Sequence, residues 1–181
     1  MAIKTFTTGE VLTASDTNTY LANAGWVYVK SQTVGTTVSS VTVSDAFSST
    51  YDNYKVIMSG GVGSTTIDLS LRLGAAAANY YGALVYCNYS SSTANAIGTN
   101  AGTNCTYIGG ADGSFAQIDI EINAPNLAKA TTVQGPFQNN TAFGHSAYRL
   151  ADTTQYTAFT IFCNLGTLTG GTITVYGYRK A

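Results

Sequence analysis

The sequence predicts an all-β fold, an antiparallel β-sandwich of jelly-roll type, led by a short N-terminal helical anchor. Three observations carry this reading. Thr, Tyr, Val and Ile alternate with polar residues over most of the chain, the period-two signature of half-buried strands. Gly, Asn, Asp and Ser interrupt these runs at short intervals, and Gly occurs 19 times, which suits tight turns and resists long helices. Only 9% of the residues are charged. A surface with so little charge is expected to be covered in part by neighbouring molecules, because charge is what keeps a lone particle solvated.

A chain of 181 residues fits one domain and buries enough surface to fold without a metal or disulfide. Composition changes near residue 25, which divides the chain into an anchor segment, 1–25, and a β domain, 26–181. In the first part, Ser15 and Asp16 are capping residues, a run of helix-compatible residues follows, and Gly25 can close it in the left-handed conformation. The result is a helix of roughly two to three turns, too short to persist unless it packs on its own domain or on another subunit. Val11, Leu12, Tyr20, Leu21 and Ala24 are its expected apolar contacts, with Asp16 at its start.

From Trp26 the period becomes two. Strands are expected over 26–34, 39–43 and 54–60, the last placing Tyr54, Val56 and Met58 on one face. The segment 66–73 alternates without a fault, with Asp68, Ser70 and Arg72 opposite four aliphatic residues, and Gly74 stops it. A strand over 80–87 follows an Ala-rich loop. Residues 88–104 hold little to bury and read as a long exposed loop or a weak hairpin. A short strand at 105–108 leads to an expected turn at 109–113. Residues 115–123 form the clearest strand, ended by Pro125, which cannot donate to a ladder. Strands at 131–137, 144–150, 156–164 and 171–179 complete a set of roughly ten, a count that favours a jelly roll.

Net charge is −1, so no global field draws nucleic acid or anionic lipid. No stretch approaches the roughly 18 apolar residues of a transmembrane helix, and membrane insertion is not expected. Met1–Phe6 has no basic segment followed by an apolar run, so a secretory signal is not expected. Cys87, Cys105 and Cys163 form no CxxC and read as reduced, partly buried thiols, with a Cys87–Cys105 bridge as the alternative.

Nothing in the residue pattern assembles a catalytic centre, and no enzyme activity, metal or cofactor is expected. His145 is the one histidine, on a strand, and no Gly-x-Ser-x-Gly elbow accompanies it. Asp119 and Glu121 share a strand face. Such a pair can serve glycoside hydrolysis or Ca²⁺ binding, and more often forms the solvated side of an amphipathic strand. Asp112 reads as a turn former. Gly60–Ser64 lacks the lysine of a phosphate cradle and reads as a hairpin turn. The one binding cue is a tyrosine group: Tyr80, Tyr81, Tyr86, Tyr89 and Tyr107 flank the polar stretch at 88–104. Exposed tyrosines offer flat apolar faces with a polar tip, which suits host surface glycan; the alternative is that several of these rings pack in the core or at a subunit interface.

Three segments carry a family resemblance. Phe6-Thr7-Thr8-Gly9-Glu10-Val11-Leu12-Thr13-Ala14-Ser15-Asp16-Thr17-Asn18 resembles the "F-x-x-G-x-V-L-T-A-x-D-x-N" opening of many tailed-bacteriophage virion proteins. Tyr51-Asp52-Asn53-Tyr54-Lys55-Val56 resembles the "Y-x-x-Y-x-(I/V)" strand early in phage jelly-roll domains, and Gly171-Thr172-Ile173-Thr174-Val175-Tyr176-Gly177-Tyr178 resembles their closing "G-x-I-x-(V/L)-Y-G" strand. Together, in this order, they bracket nearly the whole chain. The resemblance implies a structural component of a tailed-phage virion: an oligomeric, expectedly trimeric, tail- or fibre-associated appendage held by its N-terminal segment. Its implied partners are its own copies, other virion proteins and host glycan. A head decoration protein or a carbohydrate-binding adhesion module are the alternatives.

Overall fold

The computed structural model describes residues 7–16 and 25–180. Ala14–Asp16 forms one helical segment, α1. It is preceded by Thr13, a residue type suited to an N-cap, so Ser15 and Asp16 lie inside the helical segment rather than ahead of it. No longer helix occurs among the described residues, and the expected helical anchor is not seen. Most of that segment, with Tyr20, Leu21 and Ala24, lies outside the described residues. Val11 and Leu12 come before α1 and are 78% and 49% exposed.

The remainder is β structure. In chain order the strands are β1 (Trp26–Thr33), β2 (Ser40–Val43), β3 (Asn53–Ser59), β4 (Val62–Gly63), β5 (Ile67–Leu73), β6 (Tyr80–Asn88) and β7 (Ala94–Gly102). They continue with β8 (Cys105–Ala111), β9 (Ala116–Asn123), β10 (Thr131–Gln138), β11 (Ala142–Leu150), β12 (Phe159–Cys163), β13 (Leu168–Thr169) and β14 (Thr172–Tyr178). Every strand pair is antiparallel.

The organising strand is β9. One of its edges pairs with β3 from Ile118 to Asn123. Its other edge is shared: Ala116–Ile118 pairs with β8, and Glu121–Asn123 pairs with β10. Three runs of strands therefore meet there, β1-β14-β3, β2-β12-β5-β8 and β10-β11-β6-β7. The small β4–β13 pair stands apart. One apolar core serves the first two runs. Val56 and Met58 of β3, Ile118, Ile120 and Ile122 of β9, and Ile173 and Val175 of β14 join Val43 of β2, Leu69, Leu71 and Leu73 of β5, and Phe159 and Ile161 of β12. A second, smaller cluster of Leu84, Phe137 and Ala142 lies under the third run.

Phe47, in the connection after β2, ties the two sides of the core. Its ring stacks on Phe159 at 5.5 Å and meets Tyr54 edge-on at 4.8 Å between centroids. Such pairs contribute beyond their buried area. Tyr54 satisfies its buried hydroxyl by donating to the Ser48 carbonyl at 2.9 Å and accepting from the Ser48 amide at 2.8 Å. Tyr51 packs edge-on against Tyr54 at 5.9 Å, and a Cβ on Gly177 would collide with the Tyr51 ring. Gly177 in β14 is thus the seat of a ring from the connection before β3.

One alternative is decided and one expectation needs correction. Of the two readings for residues 88–104, the hairpin is the one observed, since β7 pairs with β6 along most of its length. Main-chain hydrogen bonds make that strand, and its side chains show no apolar period to announce it. Gly109 and Gly110 belong to β8 rather than to a turn. A Cβ on Gly110 would strike the Gln138 carbonyl, so glycine is what lets β8 pass so close to the end of β10. The turn falls at Asp112 instead, whose carboxylate accepts from the Ser114 amide and hydroxyl at 2.6 Å each. Those bonds hold the Asp112 carboxyl below its usual range. The Cys87, Cys105 and Cys163 thiols are all free.

Phe47→Ala is expected to cost about 3–5 kcal/mol, the range for removing a buried aromatic side chain. Urea unfolding measures it, and a loss below about 1 kcal/mol would contradict the bridging role given to this ring.

Candidate functional site

Strand alternation sends the residues of β9 that do not enter the core to the opposite face. Pairing carries that face outward on both sides. Cross-strand partners share a face, and one row runs from Tyr28 through Tyr176, Lys55, Glu121, Gln134 and Ala147 to Ala83. The strands β1-β14-β3-β9-β10-β11-β6-β7 therefore present one continuous outer surface.

At one end this surface is aromatic. Trp26 and Tyr28 come from β1, and Tyr176 and Tyr178 from β14. The Trp26 ring lies 6.1 Å from both Tyr176 and Tyr178, and Tyr28 lies 6.4 Å from Tyr176. Trp26 is 49% exposed and Tyr28 60%. Polar groups border these rings. The Lys55 ammonium sits 5.7 Å from the Trp26 centroid and pairs with Asp119, whose side chain is half exposed. Glu121 accepts from the Tyr178 hydroxyl at 2.8 Å and from the Gln134 amide at 3.3 Å. These two donors, Tyr178 first, hold the Glu121 carboxyl below its ordinary value. Burial pushes the Tyr178 phenol upward, and its bond to Glu121 adds to the rise.

At the other end the surface is apolar. Val85 faces His145, which faces Pro136, and Cys87 faces Phe143. Val85, Phe143, Tyr81 and Tyr89 are exposed, with Tyr89 and Phe143 in ring contact at 5.3 Å. The cross-strand neighbours of His145 are thus a valine and a proline.

The five tyrosines singled out by sequence do not form one patch. Tyr80 and Tyr81 are consecutive on β6 and so point to opposite faces. Tyr80 is fully buried, its oxygen accepts from the Leu73 amide at 2.9 Å, and burial pushes its phenol up. Tyr81 stays on the outer surface, where a shallow hollow of about 360 Å³ also takes in Thr132, Gln134 and Arg149. Tyr86 and Tyr107 line a cleft of about 210 Å³ on the inner side, with Asp68, Asn88 and Asn139. Tyr107 adopts a φ of 57°, a left-handed conformation that is strained for a bulky residue. Tyr89 joins Phe143 on the outer surface. Asp119 and Glu121 do share a face, as the spacing predicts.

The aromatic end is what sequence reasoning missed. Trp26 and Tyr178 read as ordinary strand residues, and only the β1–β14 pairing brings them together. Among the described residues no group of three or more His, Cys, Asp or Glu side chains gathers to hold a metal ion. No described helix is long and apolar enough to cross a membrane. The sequence matches no protein-family model and no curated protein.

Because its folded pKa is depressed, ionised Glu121 stabilises the fold above its unfolded pKa, and that contribution is lost as pH falls through the folded pKa. An NMR titration is expected to place the Glu121 midpoint below the ordinary value of about 4.3. Tyr178→Phe should raise that midpoint, and an unchanged one would show that the phenol is not its main support.

Proposed function

We propose that this chain is a structural subunit of a tailed-phage particle. It works as an oligomer, with a trimer the expected state, and its N-terminal segment, around Val11 and Leu12, attaches it to other virion proteins. Its role is mechanical rather than catalytic.

The fold is read as a jelly roll, in support of this. Eight strands fall into two sets of four, β1-β14-β3-β9 and β2-β12-β5-β8. The chain visits them as β1, β2, β3, β5, β8, β9, β12 and β14, changing set at every step but the one from β5 to β8. That is the order of two interlocked Greek keys. The β6–β7 and β10–β11 hairpins are then insertions that lengthen one sheet.

The observation that carries the proposal is a sheet edge with no charge to guard it. From Gly74 to Ala111 no residue is charged. This run contains the whole of β6 and β7, and β7 pairs with β6 alone among the described strands. No described strand pairs with its other edge, which leaves main-chain donors and acceptors there for a partner. Monomeric proteins blunt such an edge with lysine, proline, a bulge, a strong twist or a covering segment. The pairing of β7 with β6 is irregular only near Gly102, and from Ala94 to Thr99 its register is unbroken. The β7 sequence, Ala-Asn-Ala-Ile-Gly-Thr-Asn-Ala-Gly, holds no proline and no charge. An edge of this kind suits strand addition by a second copy, with no charge repulsion to overcome. A head decoration protein would use the same edge, and the two roles differ in where the copies sit, which labelled subunits on intact particles resolve.

Sedimentation equilibrium is expected to show an oligomer that dissociates in the double variant Ala94→Lys, Ala96→Lys, since both positions are exposed on β7 and each copy would gain two like charges. A wild-type monomer at about 100 μM, a concentration at which even weak assemblies form, would overturn the assembly reading. Removing residues 1–25 should leave the β domain folded and abolish incorporation into particles, and normal incorporation of the truncated chain would overturn the attachment reading.

A further inference from the structure

We infer that the aromatic end of the outer surface, built by Trp26, Tyr28, Tyr176 and Tyr178 with Asp119 and Glu121, is a binding platform for neutral pyranose sugars. The inference goes beyond the assembly reading and does not rest on it.

A pyranose ring has an apolar face of C–H groups and a rim of hydroxyls. Its receptor needs exposed aromatic faces and, at their margin, acceptors with spare capacity. The rings of Trp26 and Tyr28 are about half exposed on a sheet whose backbone is fixed by pairing on both sides of β14. They are amphipathic and lose little conformational freedom on contact, which suits them to such recognition. Tyr176 wedges between them at 6.1 and 6.4 Å and holds their spacing.

The margin is equally specific. A carboxylate offers about four lone-pair sites. Glu121 uses its two oxygens for one bond each, from Tyr178 and Gln134, which leaves both able to accept again. Asp119 is engaged by Lys55 and its side chain is 53% exposed. Neighbouring sugar hydroxyls can donate to these oxygens without breaking the bonds that orient them. Lys55 offers one positive charge against the two carboxylates, so the border carries a negative excess. That excess selects against uronic and sialic acids.

Two other places fit a sugar less well. The Tyr86–Tyr107 cleft of about 210 Å³ falls short of the roughly 300–1,000 Å³ of ligand pockets. The Val85–Phe143 end has apolar rings without carboxylates beside them. The platform is open rather than enclosed, so it favours an extended chain of several sugars and an affinity near about 1 mM per site, raised by multivalency wherever several copies face one surface.

Trp26 is the only tryptophan in the sequence, so intrinsic tryptophan fluorescence reports on this platform alone. The probes are hexasaccharides of β-1,4-glucose, α-1,4-glucose and β-1,4-N-acetylglucosamine, with oligogalacturonate as the anionic comparator. At least one neutral probe is expected to give a saturable change, weakened about ten-fold or more in the double variant Tyr28→Ala, Tyr176→Ala and weakened also in Glu121→Gln. The unmodified protein gives a second readout that depends on no variant: shifts of the Trp26 indole N–H resonance accompanied by changes confined to β1, β14 and the Glu121 region. The inference is overturned by any of three results: no saturable response to a neutral probe up to about 20 mM, twenty times the expected constant; a response that survives the aromatic double variant; or tighter binding of oligogalacturonate. Sedimentation of the same samples keeps the two readings apart, since loss of sugar binding with an unchanged oligomer speaks against the platform alone.

Discussion

The molecule hangs on β9, a strand hydrogen-bonded along both edges and committed to the core by Ile118, Ile120 and Ile122. One edge holds β3. The other is divided between β8 and β10, and that division lets a single chain continue into three runs of strands. A register slip of one residue in β9 would turn three isoleucines outward and bring Asp119 and Glu121 into the core. Burial of those isoleucines and pairing of the main chain fix the same register, which is why the strand tolerates no alternative.

The same alternation makes the candidate site a consequence of the core. Glu121 stands outside because Ile120 and Ile122 stand inside. It meets Lys55 across the β3 pairing and Gln134 across the β10 pairing, so its surroundings are set by register and not by any local loop. Two strands away, β14 brings Tyr176 and Tyr178 to the rings of β1. A platform built on paired strands is held more firmly than one built on loops, and this rigidity is what an open surface needs to bind without a pocket.

Charge poverty has a different meaning at each end of the outer surface. Around β3 and β9 three charges lie beside aromatic rings, Lys55 paired with Asp119 and Glu121 bonded to Tyr178 and Gln134. Within β6 and β7 themselves there are none. A bare edge and a bonded polar cluster ask for different partners, the first a strand and the second a polyhydroxylated ligand. A subunit that joins its own copies through one end would leave the other end repeated across the assembly, and weak sites become effective when repeated.

Alternation over 54–60, 66–73 and 115–123 was enough to locate the strands that line the core and to say which of their residues face it, because burial on one face writes a period of two into the chain. Asp112 announced its turn through its own side chain, and the shared face of Asp119 and Glu121 followed from their spacing. The β7 arm was legible only as one of two alternatives, loop or hairpin, because main-chain pairing leaves no mark on a run without an apolar period. The tyrosines at 80–107 were near in sequence and scattered in space, since consecutive strand residues point apart and β8 lies on the far side of the sheet. Only the tertiary structure decided that β1 and β14, from opposite ends of the β domain, lie side by side and carry Trp26 to Tyr178. Strand order is settled by long-range pairing and by the fit of one face to the core, and neither is encoded in any window of neighbouring residues.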